Sequence, residues 1–154
     1  MAAPPPSAPA AEIRDRALKL LTNREHSRAE LARKLGARGY PAPAIEAVLD
    51  GLIADGLLDE SRLLAAYVAE RLEKGFGPLR IRAELQGKGL SDARISPYLD
   101  LDEETCLARM TAARARRFGP VQPADRAELA RQARFLEYRG FPSHLIARLL
   151  DIDH

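Results

Sequence analysis

Leu35-x-x-x-Gly39-Tyr40-x-x-x-x-Ile45-x-x-x-Leu49 returns as Leu85-x-x-x-Gly89-Leu90-x-x-x-x-Ile95-x-x-x-Leu99, and again as Leu136-x-x-x-Gly140-Phe141-x-x-x-x-Ile146-x-x-x-Leu150. The period is about fifty residues, the signature of a repeated structural unit. In each copy a leucine closes one amphipathic helix, and a glycine four residues on can take the left-handed geometry that ends it. A bulky apolar residue packs the turn, and a second helix carries an isoleucine and a leucine one turn apart on the same face. A short helical unit reiterated in this way predicts an elongated tandem array without a catalytic pocket.

Composition agrees with helices. Ala, Leu, Arg and Glu dominate, Val and Thr are scarce, and aromatic residues are only 5% with no Trp, so the core has to be built from thin, closely packed aliphatic side chains. The expected fold is all-α, three tandem three-helix repeats. The expected boundaries are a disordered Pro/Ala-rich tail over 1–11, then repeats over 12–58, 59–101 and 102–154.

Local signals fill in the first repeat. Ile13, Ala17, Leu20 and Leu21 mark one face of a helix to about Asn23, and Ser27-Arg-Ala-Glu30 is a capping box that starts the next helix at Arg28. Gly39 stops that helix, and Ile45, Val48, Leu49, Leu52 and Ile53 form the apolar stripe of the third. In the second repeat Asp59 is expected to cap a helix over about 60–73 that buries Leu64, Tyr67, Val68 and Leu72. Pro78 opens the next, with Leu79, Ile81 or Ala83, and Leu85 facing inward. Ser91 caps a helix through Ile95 and Leu99 in which Pro97 sits badly: it is either kinked or begins near Ser96. A helix behind the acidic run at Asp100–Glu104 reaches about Arg117, another runs from Pro123 to about Tyr138, and the last from Pro142 to Leu150.

Several function classes lack their residues. Cys106 is alone, which excludes an internal disulfide and a Cys-based zinc site and favours a reducing, cytoplasmic setting. His26, His144 and His154 are scattered, with surface or capping roles expected, and Gly87-Lys-Gly89 ends a helix where a phosphate loop would open one. No enzyme activity, cofactor, metal or membrane span is expected, and the chain should be a monomer.

Net charge is only +2, but it is unevenly placed. Between Arg28 and Gly39 four cations face one acid, Glu30, whereas 41–60 holds five acids and neither Lys nor Arg. The middle helix is basic and the last acidic. The segment from Ser27 to Leu58 also fits a helix-turn-helix or winged-helix DNA reader, an alternative in which the chain binds DNA directly as a transcriptional regulator. A winged helix would continue into strands after Leu58, and residues 61–70 read as helix instead.

Three further segments carry a specific resemblance. Ser27-Arg28-x-Glu30-Leu31-x-x-Lys34-Leu35 with Gly39, Leu52-Ile53-x-x-Gly56-Leu57-Leu58-Asp59-Glu60-x-Arg62, and Tyr67-Val68-x-x-Arg71 followed by Gly75-x-Gly77-Pro78-x-Arg80-Ile81-x-x-Glu84-Leu85-x-x-Lys88-Gly89 together resemble the RecX family of RecA regulators over residues 13–150. The resemblance implies an elongated, curved array of three tandem three-helix repeats, a non-enzymatic protein that binds RecA filaments on single-stranded DNA, inhibits ATP hydrolysis and strand exchange, and favours disassembly. The sign and recurrence of the basic residues nominate Arg28, Lys34, Arg71, Arg80, Arg82, Lys88, Arg114, Arg116 and Arg117 as the partner surface, with weak non-specific DNA contact through phosphates.

Overall fold

The computed structural model describes residues 8–152, and all its regular secondary structure there is helical. The helices are α1 (Ala8–Asn23), α2 (Arg28–Ala37), α3 (Ala42–Ala54), α4 (Glu60–Glu73), α5 (Pro78–Gly87), α6 (Asp92–Leu99), α7 (Glu103–Phe118), α8 (Arg126–Arg139) and α9 (Ser143–Leu150). They follow the chain in threes. Spatially the chain divides into two compact units, one reaching to Leu64 and including Lys88–Leu90, the other made of Ala65–Gly87 and the chain from Ser91 onward.

The first unit is built on Ile13 and Ala17 of α1, Leu31 and Leu35 of α2, Ile45, Leu49 and Leu52 of α3, and Leu58. Its capping box forms as expected: the Ser27 hydroxyl accepts from the Glu30 amide at 3.0 Å, and a Glu30 carboxylate oxygen accepts from the Ser27 amide at 3.0 Å. In the second unit Cys106, Met110, Ala113, Leu136, Phe141, Leu145, Ile146 and Leu150 form the core of α7–α9. Ile81, Leu85, Ile95 and Leu99 are buried on α5 and α6.

Several expectations change. Residues 1–7 of the predicted tail lie outside the described residues, but Ala8–Ala11 already belong to α1, because Ala favours helix and Pro9 is tolerated in a first turn. Helix α6 starts at Asp92, set by the Ser91 cap, and runs through Pro97. Pro97 lies two residues before the helix ends and has no N–H to give the Ala93 carbonyl, so α6 forgoes that one bond. Helix α8 begins at Arg126 and not at Pro123, because the Asp125 carboxylate accepts from the Glu128 amide at 2.8 Å. Ile53 and Leu79, placed inward by periodicity, are 46% and 56% exposed. Each sits at the edge of its stripe. Residues 60–73, where a wing would begin, form α4, with Asp59 accepting from the Ser61 amide at 2.9 Å.

The repeat glycines do more than end helices. Within the first unit the Lys88-Gly89 turn lies on the start of α2, where the Ser27 hydroxyl donates to the Lys88 carbonyl and a Cβ on Gly89 would overlap Ala29. Within the second unit the Arg139-Gly140 turn lies on the start of α5 in the equivalent way. The Gly77 amide donates to the Arg139 carbonyl at 2.7 Å and the Leu79 amide to the Gly140 carbonyl at 3.0 Å. A Cβ on Gly140 would overlap Arg80, and one on Gly77 would overlap the Gly140 backbone.

Candidate functional site

Clusters of charged side chains form at both turns. In the first unit Glu30 is buried at the centre, its carboxylate accepting from Arg24 at 2.7 Å and from Lys88 at 3.2 Å in addition to the Ser27 amide. Burial alone would raise its pKa, but Arg24, the Ser27 amide and Lys88 outweigh it and bring the carboxyl down to about 2. Lys34 is 2.9 Å from His26 Nε2, whose Nδ1 faces the Arg24 carbonyl at 3.0 Å. Nδ1 is therefore the donor and Nε2 the acceptor. Burial, with Arg24 and Lys34 nearby, holds the His26 pKa below its usual value, and burial likewise lowers that of Lys34. His26 is thus a core residue, where a surface or capping role was expected. Arg28 is drawn onto the acidic α3 by Glu46 and, at 2.9 Å, by Asp50.

In the second unit the equivalent turn is organised by an aromatic ring. Phe76 carries Arg71 at 3.7 Å, Arg80 at 4.5 Å and Arg139 at 4.5 Å from its centroid. The one carboxylate in this group, Glu84, accepts from Arg71 at 2.7 and 2.9 Å and from the Tyr67 hydroxyl at 3.0 Å, and Arg80 lies 3.5 Å away. Burial and the Glu84 hydrogen bond push Tyr67 up to about 12. Arg80 also lies 4.8 Å from the Tyr138 ring and donates to the Tyr138 carbonyl at 3.2 Å. Arg139 also covers Phe135 at 4.9 Å, and Phe135 meets Phe118 edge-on at 5.2 Å. Arg82 faces outward, with Ser96 at 3.2 Å and Asp92 at 3.4 Å.

The nine cations nominated from sequence differ in burial and in pairing. Arg114 is buried, donating to Gln132 at 2.8 Å and to the Val121 carbonyl at 2.9 Å, so it pins the loop between α7 and α8 and is no surface contact. Arg28, Arg71 and Lys88 are tied to carboxylates, whereas Arg116 and Arg117 are exposed.

Two concave surfaces join nominated cations, Lys34 in one and Arg116 and Arg117 in the other, to cations not nominated from sequence. One is a groove of about 390 Å³ between α1 and α2, floored by Leu20 and Leu35 and rimmed by Arg16, Lys19, Lys34 and Arg38. The other is a depression of about 130 Å³ lined by Lys74, Gly75, Ala113, Arg116, Arg117, Phe135 and Arg139. A signal was available: Arg38, Lys88 and Arg139 each stand immediately before the repeat glycine. Among the described residues no three His, Cys, Asp or Glu side chains are grouped to hold a metal ion, and no helix is long and apolar enough to cross a membrane. What the surfaces offer is recognition of negative charge.

Comparison with known proteins gives matches in chain order. Residues 14–52 match "RecX, first three-helix domain", 59–97 "RecX, second three-helix domain" and 103–150 "RecX, third three-helix domain". Regulatory protein RecX of Halorhodospira halophila is 48% identical over 84% of this chain and 80% of its own length. Regulatory protein RecX of Pseudomonas syringae pv. tomato is 46% identical over 90% of this chain and 89% of its own. The crystal structure of RecX from Lactobacillus salivarius superposes with a TM-score of 0.75 at 20% identity, covering 94% of this chain and 98% of that one.

Proposed function

The chain belongs to the RecX family, and from that premise we propose that it is a non-enzymatic regulator that binds RecA filaments on single-stranded DNA. It acts mainly as an inhibitor of ATP hydrolysis and strand exchange, destabilising filaments during repair, recombination and the SOS response. The observation that carries this reading is the ordered match of all three three-helix domains. Relatives of nearly the same length bear a regulatory name.

The groove between α1 and α2 supplies the first contact surface. An apolar floor rimmed by four cations, with no carboxylate in its lining, complements an acidic segment that presents an apolar side chain. Lys19 and Arg38 are its exposed cations. The protein works as a monomer in the cytoplasm, a setting that suits its single, buried cysteine, whose pKa burial raises.

The test is inhibition of RecA ATPase on single-stranded DNA, with co-sedimentation of filaments as the binding readout. The wild type inhibits, and Lys19→Glu/Arg38→Glu requires about tenfold more protein for the same inhibition while keeping its helical circular dichroism. A wild type that neither inhibits nor co-sediments overturns the proposal, and an unaffected double variant removes the groove from it. Helix α4, standing where a wing would be, weighs against the sequence-reading transcription factor.

A further inference from the structure

The depression at the end of α4 has a charge imbalance that filament binding does not account for. Arg116, Arg117 and Arg139 have no carboxylate at ion-pair distance among the described residues, and Lys74 has only the exposed partner Glu70 at 2.7 Å. Two of the guanidinium groups are held by backbone. Arg116 donates twice to the Glu73 carbonyl at 3.2 Å, and Arg139 donates to the Lys74 carbonyl at 3.1 Å. These bonds satisfy carbonyls at the end of α4 and add the weak attraction of a helix C-terminus, but they do not supply a full negative charge. Arg117 makes only a face contact with Phe118, 5.0 Å from its centroid. The Arg139 pKa is lowered by burial and by repulsion from Arg80, Arg116 and Arg71.

The size and surroundings of the site narrow the class of anion. A depression of about 130 Å³ between guanidinium forks admits a tetrahedral oxyanion and has no slot for a bulky apolar anchor. From its Phe135 wall a ladder of alternating rings and guanidinium groups runs through Arg139, Phe76 and Arg80 to Tyr138, whose side chain is 74% exposed. Flat aromatic and guanidinium surfaces beside a phosphate-sized basic pocket are the elements that hold a single strand, by stacking its bases and neutralising its backbone. An acidic peptide would use the charge and leave the exposed ring idle.

We infer that the depression formed by Lys74, Arg116, Arg117 and Arg139 binds a backbone phosphate of single-stranded nucleic acid, with Tyr138 as a stacking platform for a base. This site goes beyond the filament-binding reading and does not rest on it. It is therefore tested without RecA.

The experiment is an anisotropy titration of the full chain against a fluorescein-labelled oligothymidylate at several salt concentrations. Binding is expected to be saturable, and Arg117→Glu and Lys74→Glu, both exposed, are each expected to weaken it about tenfold. Arg117→Gln should lower the slope of log affinity against log salt by about one. Tyr138→Ala should weaken oligonucleotide binding several-fold while leaving competition by pyrophosphate unchanged, which separates the stacking platform from the anion pocket. Circular dichroism checks that each variant stays folded. Unchanged affinity in both charge-reversal variants overturns the site. So does binding of inorganic phosphate in a thermal-shift titration with no affinity for the oligonucleotide, or displacement of the oligonucleotide by polyglutamate as effectively as by unlabelled strand. RecA inhibition that survives any of these failures leaves the proposed function standing.

Discussion

The Lys88-Gly89 turn and the Arg139-Gly140 turn occupy the same repeat position and lie on the start of the same kind of helix, yet they solve the charge problem in opposite ways. At the first, the residue five before the α2 leucine is Glu30, and Lys88 reaches a buried carboxylate. At the second, the corresponding residue is Arg80, and Arg139 meets another cation across the ring of Phe76. One backbone arrangement thus supports an acid-centred lock in one place and a cation–aromatic stack in the other. Where the lock neutralises its cations the site is structural; where the stack leaves them in excess, charge remains for a partner.

Removing the space for the turn tests the shared backbone. Gly140 has φ +99° and no room for a side chain, so Gly140→Ala should cost about 4 kcal/mol in chemical denaturation. Gly39 has φ +90° but nothing near it, and Gly39→Ala should cost only about 1 kcal/mol, from backbone strain. Equal costs would show that the turn does not bear on α5.

Glu30→Gln tests the lock itself. It sets Arg24 and Lys88 against a neutral amide in place of a carboxylate and should destabilise the chain by about 3 kcal/mol in urea. Glu84→Gln should cost less, about 1–2 kcal/mol, because Arg71 and Arg80 keep their contacts with Phe76. The reverse order would put the weight on the aromatic stack.

Acid should act on two groups of the first turn in sequence. His26 has a folded pKa below 6.5, so its neutral form is the one the fold holds, and stability falls as the pH drops below 6.5. Protonation would set an imidazolium against the Lys34 ammonium. Glu30 has a folded pKa of about 2 against an ordinary 4.5; its contribution is complete above 4.5 and is lost as the pH falls from there toward 2. Stability measured across this range should show both windows, and His26→Gln should remove only the upper one.

Much of the fold was legible because its signals are local. The Ser27/Glu30 capping box, the positive-φ glycines and the Ile/Leu stripes each act over a few residues, and they appear where the local pattern puts them except at the stripe edges, Ile53 and Leu79. The candidate site was legible only in its sign. Arg114 and Arg117 lie three residues apart on one helix, yet one is buried against Gln132 and the other faces solvent. Phe76, between α4 and α5, is the ring on which three guanidinium groups meet, Arg71 and Arg80 from the flanking helices and Arg139 from the distant α8.

The sequence by itself determined that the chain is a threefold helical repeat of the RecX type, because helix caps, stops and apolar faces are encoded within spans of one or two turns. Tertiary structure alone decided which cations are available, because a side chain's charge is neutralised by whatever carboxylate, ring or carbonyl packing brings to it from elsewhere in the chain. Lys88 and Arg139 hold the same place in the repeat, and only the folded neighbours, Glu30 for one and Phe76 for the other, make the first a lock and the second part of a site.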